Sequence, residues 1–281
     1  MISKLDKYLL KIVIAVLCTT SNSVHSSYFT NSIGMSFEYI PSGSFIMGSC
    51  TQYNLCDVNS VVDVDASIDE SPEHHVIISK NFLIGTYEVL IEEYMKFIFD
   101  NGIPFIADFY FFLNNIHNQK SAVSYVSWHD ANNFINWLNR KENCSCYRLA
   151  TEAEWEYVAK SDSIDFYYSK KQHVGEYAWY DKNSKSIGNN RSHIAGLKMP
   201  NSFGVYDMQG NVWEWVQDWY GNSYYSNSQN TDPLGPNIGK EKVDRGGAWN
   251  NNVNLLRPAN RSSTNPEKRL NYLGFRIVKE I

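Results

Sequence analysis

FGVYDMQGNVWEWVQDWY, residues 203–220, sets Trp213, Trp215 and Trp219 within seven positions and threads Asp207, Asn211, Glu214 and Asp218 among them. Each buried aromatic side chain removes about 150–250 Å² from water, so such a density of rings belongs in a core. The interleaved oxygens admit two readings. Asp207, the turn at Gly210 and Asn211, and Glu214 could wrap carboxylate and carbonyl oxygens around one hard cation, the ligand set that Ca²⁺ prefers. Alternatively they mark a hairpin corner whose acids face water.

Around this stretch the composition is that of a packed protein. The 281 residues are 43% hydrophobic, enough for one large domain or two small ones, with 8 Trp and 19 Tyr against 8 Pro. The net charge of −5 comes without basic runs, which argues against nucleic-acid binding because phosphate recognition rests on Lys and Arg clusters. Residues 1–26 read as an export signal. Lys4, Lys7 and Lys11 form a basic region, residues 12–17 an apolar one, and Val24, His25 and Ser26 a cleavage site. The apolar run is too short to span about 30 Å of hydrocarbon, so no transmembrane segment is expected once the signal is removed. Bulky Leu17 before Cys18 fits lipoprotein processing badly. The expected location is periplasmic, cell-surface or secreted, with a monomer as the expected state. Export favours pairing of Cys50 with Cys56, whereas Cys144 and Cys146 stand too close for an easy bridge, and no His lies at zinc-ligand spacing beside them.

Along the chain, residues 31–48 alternate apolar and polar positions about Pro41, Ser42 and Gly43, a hairpin signal. Residues 49–71 carry Asp57, Asp63, Asp65, Asp69 and Glu70 and read as a solvated loop. Residues 74–88 are strand-rich, with His74 and His75 directed to opposite sides, and an amphipathic helix follows in which Tyr94, Phe97 and Ile98 share a face. Ser127 with Asp130, and Thr151 with Glu154, begin two more helices by capping-box spacing. Trp128, Ala131, Phe134, Ile135 and Leu138 face inward from the first, Trp155 and Val158 from the second. Residues 161–202 read as Tyr-, Ser- and Asn-rich loop.

Several of these stretches together resemble the formylglycine-generating enzyme (sulfatase-modifying factor) superfamily. They are GMSFEYIPSGSFIMG at 34–48, RLATEAEWEY at 148–157, FGVYDMQGNVWEW at 203–215, RGG at 245–247 and LGFR at 273–276. The resemblance covers roughly residues 31–278 and implies one α+β domain, residues 27–281, with the formylglycine-generating-enzyme fold, C-type-lectin-like topology and little regular secondary structure. It implies structural Ca²⁺ at Asp207, the Gly210 and Val212 carbonyls and Glu214. The family's first Ca²⁺ site would open at Asn189 and Asn190, but the chain reaches Pro200 too soon to complete it. Catalytic members begin the helix after Tyr87, Glu88 and Val89 with Thr-Asn, where this chain has Leu90 and Ile91. They also carry two copper-binding cysteines at the positions of Asn251 and Leu256, Ser at Ala248 and Asn at Tyr272. Neither Asn nor Leu holds cuprous ion, which requires soft thiolates, so copper and formylglycine synthesis are not expected. The iron of sulfoxide-forming relatives needs a His-rich helical domain, whereas the seven His here are scattered.

The segment that departs from the catalytic pattern is rich in binding chemistry. Asn250, Asn251, Asn252, Asn254, Asn260, Asn265 and Asn271 fall within 22 residues, with Arg257 and Arg261 among them and Trp249 and Tyr272 at the flanks. Amides donate and accept without fixed charge, and with aromatic anchors they make adaptable surfaces; alternatively they only tie down irregular backbone. The segment also resembles the variable regions of proteins diversified by retroelements, in which adenine-directed mutagenesis rewrites Asn codons, although ordinary cysteine-free members have similar tails. The expectation is an exported, Ca²⁺-stabilised domain binding a protein or glycan through Trp249, Asn250, Asn251, Asn252, Asn254, Arg257, Asn260, Arg261 and Tyr272. The alternative is an oxidoreductase acting on a cysteine peptide or small metabolite, since a cysteine-free relative acts in pyoverdine maturation.

Overall fold

A computed structural model describes residues 28–51, 56, 62–104, 109–161, 173–184 and 190–281. The export segment at 1–26, Asp57 and Asn189 lie outside these.

The strand built on the tryptophans, β7 (Trp213–Trp219), is buried along nearly its whole length. Trp213 and Trp215 enter one apolar cluster with Phe134 and Phe275, while Val216 enters a second with Trp155 and Val243. Having core on both faces explains why large apolar residues sit on successive positions, a pattern foreign to a half-solvated strand. Its sheet runs in the order β10 (Leu273–Phe275), β7, β8 (Lys242–Arg245), β9 (Arg261–Thr264), with β10 parallel to β7 and the other pairs antiparallel.

A second, five-stranded sheet gathers distant parts of the chain. It runs β1 (Phe29–Thr30), β2 (Ser36–Ile40), β5 (Phe82–Gly85), β11 (Ile277–Glu280), β6 (Tyr147–Leu149), so the last strand lies between two early ones. The hairpin expected at 31–48 does not form. β2 joins this sheet, whereas β3 (Gly43–Met47) pairs with β4 (His74–Ile78) in a separate ribbon. Gly43 starts β3 where a Cβ would stand 2.4 Å from Tyr157 Oη, a close approach that commits β3 to the helix above it. His74 and His75 do alternate across β4, half-buried and exposed respectively.

Six helices are seen among the described residues: α1 (Ile91–Asp100), α2 (Phe109–Asn115), α3 (Trp128–Lys141), α4 (Glu152–Ala159), α5 (Val174–Tyr177) and α6 (Asp181–Ser184). Ser127 and Thr151 cap α3 and α4 through the amides of Asp130 and Glu154, as their spacing predicts. No side-chain oxygen is available at Leu90, so Glu93 reaches back to the Leu90 amide at 2.8 Å. Burial pushes that carboxyl up to about 8. Tyr94 and Phe97 from α1 pack on Phe134 and Trp137 from α3. None of the described helices is long and apolar enough to cross a membrane.

Two further expectations change. Cys50 pairs with Cys56, but Cys144 also pairs with Cys146, because the chain bends at Ser145 and leaves the Cα atoms 5.4 Å apart, within the span a bridge needs. The acidic stretch is only partly solvated where it is described, with Val62, Val64 and Ile68 exposed and three of its acids turned inward. Asp63 and Glu70 are buried against Arg257, nearly two hundred positions away, and Asp69 is buried with its Oδ2 accepting from the Tyr220 hydroxyl.

Candidate cation site and ligand-binding face

Just before β7 the backbone takes left-handed conformations at Asp207, Gly210 and Asn211. Asp and Asn tolerate that region, while at Gly210 a Cβ would stand 2.2 Å from the Trp179 carbonyl oxygen, so only glycine fits. The resulting turn points side chains inward. Asp207 Oδ2 accepts from the Gly196 amide at 2.7 Å, and Glu88 Oε1 accepts from Asn211 Nδ2 at 3.0 Å. The other oxygens, Asp207 Oδ1 and Glu88 Oε2, are buried without a partner.

Glu214, in the same cluster, is differently placed. The Arg276 guanidinium donates to both its oxygens, at 2.7 and 3.1 Å, and Trp155 Nε1 donates to Oε2 at 2.8 Å. Three buried carboxylates thus surround one guanidinium. Burial raises Asp207 to about 6, and burial followed by the Asp207 charge raises Glu88 well above the carboxylate range. Among the described residues no group of three or more His, Cys, Asp or Glu side chains is gathered to hold a metal alone. A cation here would be held by Asp207 Oδ1 and Glu88 Oε2 together with the Gly210 and Val212 carbonyls that the family resemblance implies. The donor set is all oxygen, and both carboxylate oxygens are buried without a partner, which fits a hard divalent ion such as Ca²⁺. Glu88 lies over a hundred residues from the turn, so no local signal linked it to Asp207, while Glu214, the expected ligand, accepts from Arg276 and Trp155. Asn190, expected to open another cation site, is exposed.

Beyond β8 the chain turns at Gly246 and Gly247 and enters the Asn-rich segment. Here the structure divides the expected face. Asn251 Oδ1 accepts from Trp213 Nε1 at 2.8 Å and from the Ala248 amide at 2.9 Å. Asn254 Nδ2 donates to Asp65 Oδ1 and Asn260 Nδ2 to the Leu255 carbonyl, so these amides tie down backbone and neighbouring loop. Trp249 is buried with its Nε1 toward the Asn271 carbonyl. Arg257 donates to Glu70 at 2.5 and 2.6 Å and to Asp63 at 2.9 Å, and Arg261 donates to Glu152 at 2.7 and 2.9 Å.

These two arginines lie inside the protein. Together with fully buried Arg245, which pairs with Glu156, they place three cations from the C-terminal quarter on acids of α4 and of the 62–71 loop. Burial would raise Glu156, but Lys160 and Arg245 outweigh it and hold the carboxyl at about 2. Glu152, in the first turn of α4, and Glu156, one turn on, thus anchor the C-terminal segment to that helix.

What remains outward is a smaller set. Asn252 is exposed, its Oδ1 accepting from the Asn254 amide, while Asn250 and Tyr272 are half-buried. Asn250 Oδ1 is buried without a partner, as are Asp181 Oδ1 and Trp179 Nε1. The Asp181 amide donates to the Asn251 carbonyl at 3.0 Å, which brings α6 against the Asn-rich segment. Nothing in the Tyr- and Ser-rich sequence around 179–181 signalled that contact.

The family model described as "Sulfatase-modifying factor enzyme 1-like domain" matches residues 34–281. The formylglycine-generating enzyme of Streptomyces coelicolor is 33% identical over 180 residues, 56% of this chain and 52% of that protein. The chain spans about half or less of the length of the curated relatives it matches first. PvdO from Pseudomonas aeruginosa superposes with a TM-score of 0.72 at 24% identity, covering 90% of this chain and 97% of that one. Treponema denticola variable protein 1 superposes with a TM-score of 0.70 at 26% identity, covering 91% and 99%.

Proposed function

Because the chain belongs to the sulfatase-modifying factor enzyme 1-like family, we propose that it is an exported, Ca²⁺-stabilised member that binds a protein or glycan ligand and does not make formylglycine. The observation that carries this reading is the state of the two positions matching the copper-binding cysteines. Asn251 has its amide oxygen locked between Trp213 Nε1 and the Ala248 amide, and Leu256 is fully buried beside Val174 and Ala178. Neither supplies a soft donor, and neither has a side chain free to move toward a substrate. In place of a reactive pair, the segment carries Asn250, Asn252 and Tyr272 on a rigid base.

Rigid support beneath a few outward polar and aromatic side chains suits a binding surface, because little ordering entropy is lost on association. The likeness to a Treponema denticola protein described as variable supports the same reading. Ca²⁺ belongs to the scaffold in this account, held by Asp207 and Glu88 with the Gly210 and Val212 carbonyls.

The test uses glycan arrays and arrays of cell-surface proteins probed with the wild type and with Asn250→Ala/Asn252→Ala/Tyr272→Ala. Because Asn252 caps a short helical turn and Tyr272 packs on the core, unfolding of the variant is followed in parallel, with a loss of about 0.5–2 kcal/mol expected for the cap. Binding of a retained probe should weaken by about tenfold or more, equivalent to 1.4 kcal/mol. Equal retention by the variant, or retention of no probe by the wild type, removes the reading.

A further inference from the structure

We propose that Cys144 and Cys146 form a reversible dithiol–disulfide pair that exchanges with thiols while the fold stays intact. The bridge spans one residue, exposed Ser145, in the turn between α3 and β6, and both sulfurs belong to half-buried residues. A cross-link closing so short a loop removes the least conformational freedom from the unfolded chain, so it contributes little as a staple. Cys50–Cys56 closes a longer loop from a fully buried Cys50.

The turn is held without the bridge. Asn139 accepts from the Cys144 amide through its carbonyl at 3.0 Å. Its Oδ1 accepts from the amides of Cys146 and Tyr147 at 3.1 and 2.9 Å, and its Nδ2 donates to the Tyr147 carbonyl at 2.9 Å. On the far side, the Cys146 carbonyl accepts from the Glu280 amide at 2.8 Å. Opening the sulfur–sulfur bond breaks none of these contacts. Asn139 Oδ1 also lies 3.4 Å from Cys144 Sγ, so an acceptor already faces the thiol that reduction would create.

The same oxygen disfavours negative charge on Cys144, which sets the direction of exchange. A substrate thiolate attacks Cys144 Sγ, a new sulfur–sulfur bond forms, and Cys146 leaves as a thiolate that takes up a proton. The second thiol of the substrate, as thiolate, then displaces Cys144, which is protonated and donates to Asn139. Two electrons and two protons pass from a dithiol to the Cys144–Cys146 pair, and the substrate becomes a disulfide. The substrate class is therefore an accessible peptide or protein dithiol.

To test this, the full protein is equilibrated across a series of reduced and oxidised glutathione, trapped with a thiol alkylator and mapped by mass spectrometry, with near-UV circular dichroism followed in parallel. Cys144 and Cys146 should become alkylated at a glutathione ratio at least about tenfold less reducing than Cys50 and Cys56 require, with the dichroism unchanged. In Cys146→Ser, Cys144 should accumulate as a mixed disulfide with glutathione. The proposal is overturned if both bridges open together, if the Cys144 pair opens only as the dichroism collapses, or if it never forms a bridge in oxidised glutathione.

Discussion

Arg245→Met should lower the stability of the fold by about 3–5 kcal/mol, the range found when one partner of a buried ion pair is removed. Arg245 is fully buried. It pairs with Glu156 and also donates to the carbonyls of Ala259 and Pro258 at 2.9 and 3.0 Å, so one side chain ties α4 to the entry of β9. Its loss leaves Glu156 with Lys160 as its one cation, at 2.8 Å, beside the Gly48 amide at 2.7 Å, and strands the carbonyls. Arg269→Ala makes the control, since the Arg269–Asp130 pair is partly solvated and exposed pairs contribute about 0–1 kcal/mol. Denaturant unfolding of both variants measures the difference; equal, small losses would show that the buried pair does not anchor the segment. The pair also fixes a pH response. Glu156 is held at about 2, below its usual value, so its contribution is present above the ordinary carboxylate range and is lost as pH falls toward 2. In Arg245→Met that acid-limb loss should shrink.

The second large effect concerns the cation. Ligand at a hundred times its dissociation constant stabilises a protein by about 2.7 kcal/mol, and for a chain of this size each kcal/mol moves the melting temperature by about 2–4 °C. Ca²⁺ added to chelator-treated wild type is therefore expected to raise the melting temperature by roughly 5–10 °C. Asp207→Ala and Glu88→Gln should each abolish that rise, because each removes one of the two buried carboxylate oxygens that lack a protein partner. Differential scanning fluorimetry with Ca²⁺ reads the result. A wild type indifferent to Ca²⁺ would remove the site, and a Glu88→Gln variant that still responds would remove Glu88 from it.

Much of the scaffold was legible because its signals are local. The capping oxygens of Ser127 and Thr151 and the apolar faces of α1, α3 and α4 all depend on neighbours within a turn or two, and the motifs of the family lie in the expected order. Long-range pairing left no such trace. Arg257 meets Asp63 across 194 positions and Arg261 meets Glu152 across 109, and an acid awaiting such a partner reads like any solvated acid. The same limit hid Glu88 and the packing of Asp181 on the Asn-rich segment. β2 and β3 showed the right periodicity and the wrong partner, because alternation reports which face is buried and not which strand lies alongside. At the face itself, the amide count was visible, but the division into bonded Asn251, Asn254 and Asn260, half-buried Asn250 and exposed Asn252 is a property of the folded backbone.

The most direct measurement is mass spectrometry of a cysteine-containing sulfatase-motif peptide after incubation with the protein, copper and O₂, beside a cysteine-bearing family member under the same conditions. The account predicts an unmodified peptide where the control converts it, since Asn251 and Leu256 occupy the thiolate positions. Conversion of the peptide cysteine to formylglycine would contradict it and show that other residues of this chain hold the metal.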